Sequence, residues 1–296
     1  MPAHLSTHLK LTLGTFFWAL TPIFGRMLSG YSAPWALTFG RFLVATMVLW
    51  VFLKLQRAPV APAGRHGVTF FLLGLTGVCL HNVLGFMGME HTEANRANVI
   101  FSTITIMIAL IELVWFRQRL RAGVLLGILI GIFGTMLVVT DGAPWQIFSG
   151  MLGLGDGIIL LSAASWALYS VLGRPLLATC SPLTLTFQAS LWGTLMLLPF
   201  VYLDREVLWQ IATDGKAVLM LVFLGVLNSA VGFLWYYEAI ARLGAVVTSA
   251  YINLVPIFGL LLSALLLGES PTPPLLLGGG LVLVALLVIN RFQLKR

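Results

Sequence analysis

Charged residues are scarce in this chain of 296 residues, at 9%, against about 25% in soluble globular domains. Hydrophobic residues reach 59%, so the chain is not a soluble globule. Long polar connections are scarce as well, and the longest lie near 54–67 and 204–216. Because no soluble domain fits into them, any function must lie within the apolar segments.

Cysteine is nearly absent too. Cys79 and Cys180 are isolated from each other, which argues against a disulfide framework and against a cysteine-based metal site. Walker A, HExxH and GxSxG sequences are also missing, so ATP hydrolysis, zinc peptidase and α/β-hydrolase chemistry find no support. We therefore predict no enzyme activity, no cofactor and no metal.

What the chain has in abundance is apolar runs of about 20 residues, the length of a helix that crosses a bilayer. Strands are excluded because an open sheet edge in lipid leaves backbone groups unpaired, and the alternating pattern of an outer-membrane barrel is absent. The sequence predicts an all-α integral membrane protein with ten transmembrane helices. We place them near residues 9–29, 33–53, 68–90, 97–116, 122–140, 153–173, 183–203, 217–239, 246–267 and 274–292.

The first half of the chain returns in the second half at a constant offset of 148 residues. The matches pair Trp18 with Trp166, Gly25-Arg26 with Gly173-Arg174, Pro34 with Pro182, Gly77 with Gly225 and Glu90 with Glu238. We divide the chain into two repeats, 1–141 and 151–296, of five helices each. Because five is an odd number, the second repeat enters the membrane inverted, an arrangement typical of transporters that work by alternating access.

The Lys and Arg residues are distributed unevenly over the predicted loops. With the N-terminus in the cytoplasm, twelve fall on the cytoplasmic side and four on the opposite side, while Arg41 lies inside the second helix. By the positive-inside rule, we predict that both termini are cytoplasmic. Topology thus explains the net charge of +7, and we predict membrane lipids but no nucleic acid as partners.

Several short segments resemble a known family. They are Trp18-Ala19-Leu20 and Gly40-Arg41-Phe42 in the first half, and the segments 237–245 and 254–258 in the second. This pattern resembles that of EamA-type members of the drug/metabolite transporter superfamily. The resemblance implies ten helices in two inverted five-helix repeats, which export or exchange small metabolites. The His81-Asn82 pair and the aromatic residues are most similar to those of exporters of aromatic and other neutral amino acids.

Depth in the membrane selects the candidate site, because substrates of inverted-repeat carriers bind near the midplane. His81 lies just past the middle of the third helix and shares one helical face with glycines, which marks a face turned toward protein. It either contacts the substrate or forms a hydrogen bond between helices. We predict packing and kink positions at Gly77, Gly85, Gly225, Gly232 and Pro256.

Aromatic and amide side chains at similar depth complete this candidate site. Trp18 and Trp166 occupy equivalent positions in the two repeats, where their rings can bury an apolar side chain and their indole N–H groups can orient a polar one. Core packing is the alternative for both. The predicted substrate-binding residues are Trp18, His81, Asn82, Phe101, Trp166, Tyr169, Asn228, Tyr251 and Asn253.

Charged residues have a more structural interpretation. Glu238 lies at a helix end, where we expect it to be solvated or paired with Arg242. Arg41 lies about eight residues into its helix, where it can snorkel, bind backbone carbonyls or contact the substrate. With no carboxylate at mid-depth, His81 is the plausible titrating group near the centre.

These features together predict a bacterial inner-membrane transporter that exports aromatic and other neutral amino acids, or similar small metabolites, by alternating access. Uniport is the simplest mechanism, because no proton-coupling carboxylate is evident. One alternative is a proton-coupled exporter of another metabolite or drug, such as a purine or a cationic amphiphile. Another is a membrane scaffold that transports nothing. No obligate protein partner is predicted.

Overall fold

The computed structural model describes residues 2–21, 24, 31, 33–57, 63–92, 94–117, 121–148, 153–267 and 272–293. Within these ranges every regular element is helical, and no strand occurs. The ten main segments are α1 (Pro2–Ala19), α2 (Pro34–Leu55), α3 (Ala63–Leu73, Gly74–Leu80 and His81–Met89), α4 (Ala94–Ser102 and Ile104–Trp115), α5 (Ala122–Val139), α6 (Leu154–Gly173), α7 (Pro182–Val201), α8 (Gly215–Phe223, Leu224–Val231 and Gly232–Leu243), α9 (Ala245–Ala250, Tyr251–Asn253 and Leu254–Leu267) and α10 (Pro273–Gln293). A short helix, Arg205–Thr213, lies between α7 and α8.

Helix length and composition fit a membrane-spanning bundle. Seven helical spans among the described residues are long and apolar enough to cross a bilayer, and shorter apolar helices occur at Ile100–Trp115 and Ala245–Gly259. The outer surface carries exposed apolar side chains such as Val114, Leu126 and Leu287, as expected for a surface against lipid. The predicted all-α, multi-pass membrane fold is confirmed.

The first helix differs most from its predicted bounds. It begins at Pro2 instead of residue 9, because Lys10 does not mark the rim of the bundle. Its ammonium group lies 2.6 Å from the Glu238 carboxylate, so this part of α1 packs against α8. The repeated residues Gly25 and Arg26 lie outside the described residues.

Helix pairing follows the repeat. α2 packs against α7, and α5 packs against α10, so each of these helices contacts its own counterpart. α1 packs against α8 just as α3 packs against α6. Close approach depends on glycine: a Cβ on Gly134 would lie 2.7 Å from the backbone oxygen of Gly278, and one on Gly278 would lie 2.5 Å from that of Gly134. Backbone therefore meets backbone between α5 and α10.

Four helices are interrupted at matching places in the two halves. α3 and α8 each contain a π-helical segment, Gly74–Leu80 and Leu224–Val231, around the equivalent residues Gly77 and Gly225. α4 breaks at Thr103, and α9 turns into a 3₁₀ segment at its equivalent, Tyr251. Interrupted helices near mid-membrane are the usual position of a carrier's binding site.

The predicted packing positions lie at these crossings. A Cβ on Gly77 would lie 2.2 Å from the ring of Tyr169, and one on Gly225 would lie 2.6 Å from the side chain of Val44. Gly232 faces the Trp18 indole in the same way, at 2.8 Å. Pro256 follows the 3₁₀ segment of α9, where its missing N–H fits a break in the helical hydrogen bonds. Gly85 is looser, because its nearest neighbour, the Ser162 hydroxyl, is 3.4 Å from a built Cβ.

Candidate functional site: a central cavity

A cavity of about 170 Å³ lies where the interrupted helices meet. Residues of both halves line it, including most of the predicted binding residues. Trp18, His81, Asn82 and Phe101 come from the first half, and Trp166, Asn228 and Asn253 come from the second. Pro256 and Gly85 also lie in its wall.

Two predicted residues lie outside the lining of this cavity. The Tyr169 side chain is fully buried and packs against Gly77, where the absence of a Cβ leaves room for the phenol ring. Tyr251 points toward α1 instead, with its hydroxyl 2.6 Å from Nδ1 of His8. Both tyrosine side chains therefore contact neighbouring helices instead of lining the cavity.

The apolar part of the cavity is formed by aromatic rings. Trp18 and Trp166 meet edge to face with centroids 5.5 Å apart, and Phe233 lies 5.0 Å from Trp166. Both indole N–H groups are already used within the protein: that of Trp18 donates to the Asn228 carbonyl at 3.0 Å, and that of Trp166 to the Tyr236 hydroxyl at 3.3 Å. The two tryptophans therefore offer ring surface to a ligand, and their predicted role as hydrogen-bond donors to it is not supported.

His81 connects α3 to α6 at the edge of this aromatic cluster. Its Nδ1 lies 3.2 Å from the Ser162 carbonyl oxygen, and the Ser162 hydroxyl donates to the His81 carbonyl at 2.6 Å. Because a carbonyl oxygen can only accept, the first contact requires the proton on Nδ1. The ring centroid is 4.6 Å from that of Trp166, so the imidazole is positioned by hydrogen bonding and by aromatic contact.

Asn82 stabilises the irregular backbone of α3. Its side-chain amide donates to the carbonyl oxygens of Gly77 and Val78 at 3.0 and 2.9 Å. These carbonyls belong to the π-helical segment, where the regular helical pattern is lost. Asn82 thus supports the cavity wall from within its own helix.

Polar groups of α1, α2 and α8 meet at Asn228. Its amide nitrogen donates to the Phe17 carbonyl and to the Thr21 hydroxyl, and its amide oxygen accepts from Nη2 of Arg41 at 2.7 Å. Nε of Arg41 donates to the Ser229 hydroxyl. Arg41 is 5% exposed and lines the cavity. Snorkelling is therefore excluded, and the guanidinium points inward.

Several cavity residues were missed by the sequence analysis. Asn98 and Ser102 of α4 line the cavity beside Phe101. Their spacing of four residues places them on one helical face, which is the signal that could have identified them. Thr21 also lines the cavity, and its hydroxyl accepts from the Asn228 amide nitrogen.

The cavity extends toward one end of the bundle. Its lining reaches Met89 at the end of α3 and Asn98 near the start of α4; we call this side the cavity end. The other side, which holds the start of α1 and the ends of α4, α6 and α8, is the closed end. There Lys10 pairs with Glu238 at 2.6 Å, and Arg174 pairs with Glu112 at 2.7 Å.

The closed end also corrects one sequence-based expectation. Arg242 donates to the Thr7 hydroxyl at 3.0 Å, and the partner of Glu238 in this structure is Lys10. Sequence proximity favoured Arg242, but the packing of α1 against α8 brings Lys10 to the carboxylate. Within the described residues, no cluster of three or more His, Cys, Asp or Glu side chains could hold a metal ion.

Comparisons with known proteins give the relatives of this chain. The sequence pattern of the EamA-like transporter family matches it twice, at residues 5–140 and 153–291. An uncharacterized transporter of Archaeoglobus fulgidus is 30% identical over 90% of both chains. A probable terminal-alkyne amino-acid exporter of Streptantibioticus cattleyicolor is 28% identical over 91% of this chain and 88% of its own length.

A solved crystal structure supports the fold. It has a TM-score of 0.73 and 16% sequence identity, and the match covers 97% of this chain and 98% of the other. At this identity the likeness concerns the arrangement of the helices alone.

Proposed function

This chain belongs to the EamA-like transporter family, and we propose that it exports aromatic and other neutral amino acids by alternating access. Membership gives a multi-pass transporter of a small-molecule substrate. The observation that carries the finer proposal is the one-sided central cavity, in which the equivalent residues Trp18 and Trp166 supply an aromatic wall. Its position between interrupted helices of both repeats supports this proposal, because carriers with inverted repeats usually bind their substrate there.

The aromatic wall favours substrates with a large apolar group. Burying such a group against tryptophan yields about 25 cal/mol per Å² of apolar surface. One relative is named as an amino-acid exporter, which agrees with the proposed class. The competing substrate, a cationic amphiphile, is disfavoured because Arg41 already places a positive charge in the cavity wall.

We further propose uniport as the mechanism. No carboxylate lies among the described residues that line the cavity, so a proton acceptor of the usual acidic type is missing there. The substrate gradient then drives transport. The bacterial inner membrane, with both termini in the cytoplasm, is the proposed location, and the cavity end then faces outward.

The test is counterflow of labelled phenylalanine in liposomes, with and without a pH gradient. The proposal expects exchange that depends on the protein and is indifferent to the gradient. Acceleration by the gradient would instead indicate proton coupling. If the protein exchanges no neutral amino acid but does exchange a purine or a cationic drug, the proposed substrate class is wrong and that compound takes its place. A protein that exchanges nothing would correspond to the scaffold.

A further inference from the structure

Arg41 carries a buried positive charge with no acidic partner. Its two hydrogen bonds go to the neutral side chains of Asn228 and Ser229. Within the described part of the chain, no carboxylate forms an ion pair with it, and the salt bridges lie elsewhere. A buried charge without a counter-charge is costly, and it becomes favourable when an anion enters beside it.

The guanidinium also has donors to spare. It has five N–H groups, and the two contacts use Nε and Nη2, which leaves Nη1 free of hydrogen bonds to described residues. The contacts hold the group at a fixed orientation in the cavity wall. Planar guanidinium groups bind carboxylates with two parallel hydrogen bonds, so Arg41 presents a ready carboxylate site.

A residue of the cavity wall, Asn253, carries an unpaired acceptor. The side-chain oxygen of Asn253 is buried and accepts no hydrogen bond from any described residue. Asn253 itself is 3% exposed and comes from the 3₁₀ segment of α9. A buried acceptor without a donor costs free energy. Because Asn253 lines the cavity, a turn of its side-chain amide would bring this oxygen to an ammonium group there.

These groups supply a complete set of contacts for one kind of molecule. Because the indole N–H groups of Trp18 and Trp166 are used within the protein, polar recognition must come from other side chains. We propose that Arg41 binds the α-carboxylate of the substrate, that the Asn253 side-chain oxygen accepts from its ammonium group, and that the side chain lies against the two tryptophans. This assignment rests on the proposed function, and it makes the carboxylate the obligatory feature of a substrate.

Wild-type protein and three ligands test the carboxylate requirement without any substitution. Phenylalanine has both charged groups, 3-phenylpropionate lacks the ammonium group, and phenethylamine lacks the carboxylate. In counterflow of labelled phenylalanine, 3-phenylpropionate should compete, and phenethylamine should not compete at tenfold higher concentration. Equal competition by phenethylamine overturns the assignment.

The same ligands separate this inference from the proposed function. If phenylalanine is not exchanged at all, the proposed function fails. Thermal unfolding of the purified protein then still reports binding, because a ligand that binds the folded state raises the melting temperature. Stabilisation by 3-phenylpropionate but not by phenethylamine supports the carboxylate site, and the reverse order contradicts it.

Variants assign the contacts. Arg41→Gln should raise the half-inhibitory concentration of phenylalanine on the order of tenfold to a hundredfold. This is the loss of affinity expected when one charge-assisted hydrogen bond is removed. Arg41→Lys should recover part of this loss. Lys54→Gln, which removes a cation from the exposed end of the same helix, is the matched control and should leave competition unchanged.

Asn253→Ala provides an independent test if Arg41→Gln does not fold. It should weaken the binding of phenylalanine by several-fold. The binding of 3-phenylpropionate should not change, because this ligand lacks the ammonium group. A folded Arg41→Gln protein with wild-type competition would exclude the carboxylate site. Equal losses for both ligands in Asn253→Ala would exclude the ammonium contact.

Discussion

The hydroxyl oxygens of Thr46 and Thr194 lie 3.2 Å apart, and the two residues are separated by 148 positions, the offset between the repeats. Trp18 and Trp166 have the same separation and also touch. A contact between equivalent residues of two related halves lies on the axis that relates them. The pairs Thr46–Thr194 and Trp18–Trp166 therefore mark this axis, and they should persist when the halves exchange conformations.

A cross-link on the axis should be compatible with transport. We expect the double variant Thr46→Cys/Thr194→Cys, with Cys79 and Cys180 replaced by Ala, to form a disulfide and to keep most of its counterflow activity. The measurement is exchange before and after reduction. A large recovery of activity on reduction would mean that α2 and α7 must separate during the cycle.

A cross-link away from the axis should have the opposite effect. Lys10→Cys and Glu238→Cys, joined by a flexible bifunctional thiol reagent, tie α1 to α8 at the closed end. Because alternating access requires that end to open, we expect exchange to stop. Each single variant treated with the same reagent is the control. Unchanged exchange in the linked protein would place the moving parts elsewhere.

His81→Ala should lower transport severely while the protein remains folded. The imidazole contacts Trp166 and connects α3 to α6, whereas an interhelical hydrogen bond in a membrane bundle averages only about 0.6 kcal/mol. Counterflow and size-exclusion profiles measure the two effects separately. Ser162→Ala, which keeps the ring, should be milder. If His81→Ala transports at the wild-type rate, His81 has only a packing role.

Trp166→Ala should shift selectivity toward small substrates. Removing ring surface should weaken the binding of phenylalanine and of large aliphatic amino acids by about 1 to 3 kcal/mol, and the binding of alanine by less. The Tyr236 hydroxyl keeps its contact with Ser170, at 2.8 Å, which limits the damage to the fold. Trp18→Ala should act in the same direction to a lesser degree. Competition by a size series of neutral amino acids measures this change in selectivity. Equal losses of affinity across the series would contradict a binding role for the two tryptophans.

Breaking one partner of the Glu112–Arg174 pair should destabilise the protein. The Glu112 side chain is 4% exposed and that of Arg174 is 29% exposed, so the cost of Glu112→Gln should be about 1 to 3 kcal/mol, less than for a fully buried pair. Glu112→Leu/Arg174→Met should lose less than the single variant, because no charge is left unpaired. Thermal unfolding in detergent gives both values. If the losses of Glu112→Leu and Arg174→Met, measured singly, add up in the double variant, the two charges are independent.

Topology can be tested by cysteine labelling from outside intact cells. With both termini in the cytoplasm, a membrane-impermeant reagent should reach a cysteine introduced in the 141–150 segment but not Arg65→Cys. Lysed cells, in which both positions react, are the control. The reverse pattern would invert the protein in the membrane and with it the direction in which the cavity end faces.

The sequence predicts more of the fold than of the site, for physical reasons. Length and hydropathy identify membrane helices because the bilayer imposes both, and the constant offset identifies the repeat. The sequence also indicates which face of a helix a side chain occupies. Trp18, His81 and Asn228 were predicted on this basis, and all three line the cavity. The partners of polar groups are not readable, since they depend on which helices pack together. For this reason the partners of the Tyr251 hydroxyl, of the two indole N–H groups and of Glu238 became clear only from the structure.

The ion pairs of the closed end are not repeated at the sequence positions that the offset of 148 residues makes equivalent. Positions 148 residues from Lys10 and Glu238 hold Ile158 and Glu90, and those equivalent to Glu112 and Arg174 hold Leu260 and Arg26. Neither combination joins opposite charges. Because these pairs hold the closed end together, we expect the empty protein to favour the state in which that end is shut. Turnover then depends on how quickly the unloaded protein leaves that state, and charge-neutralising substitutions at Lys10 or Glu112 become a means of speeding its return.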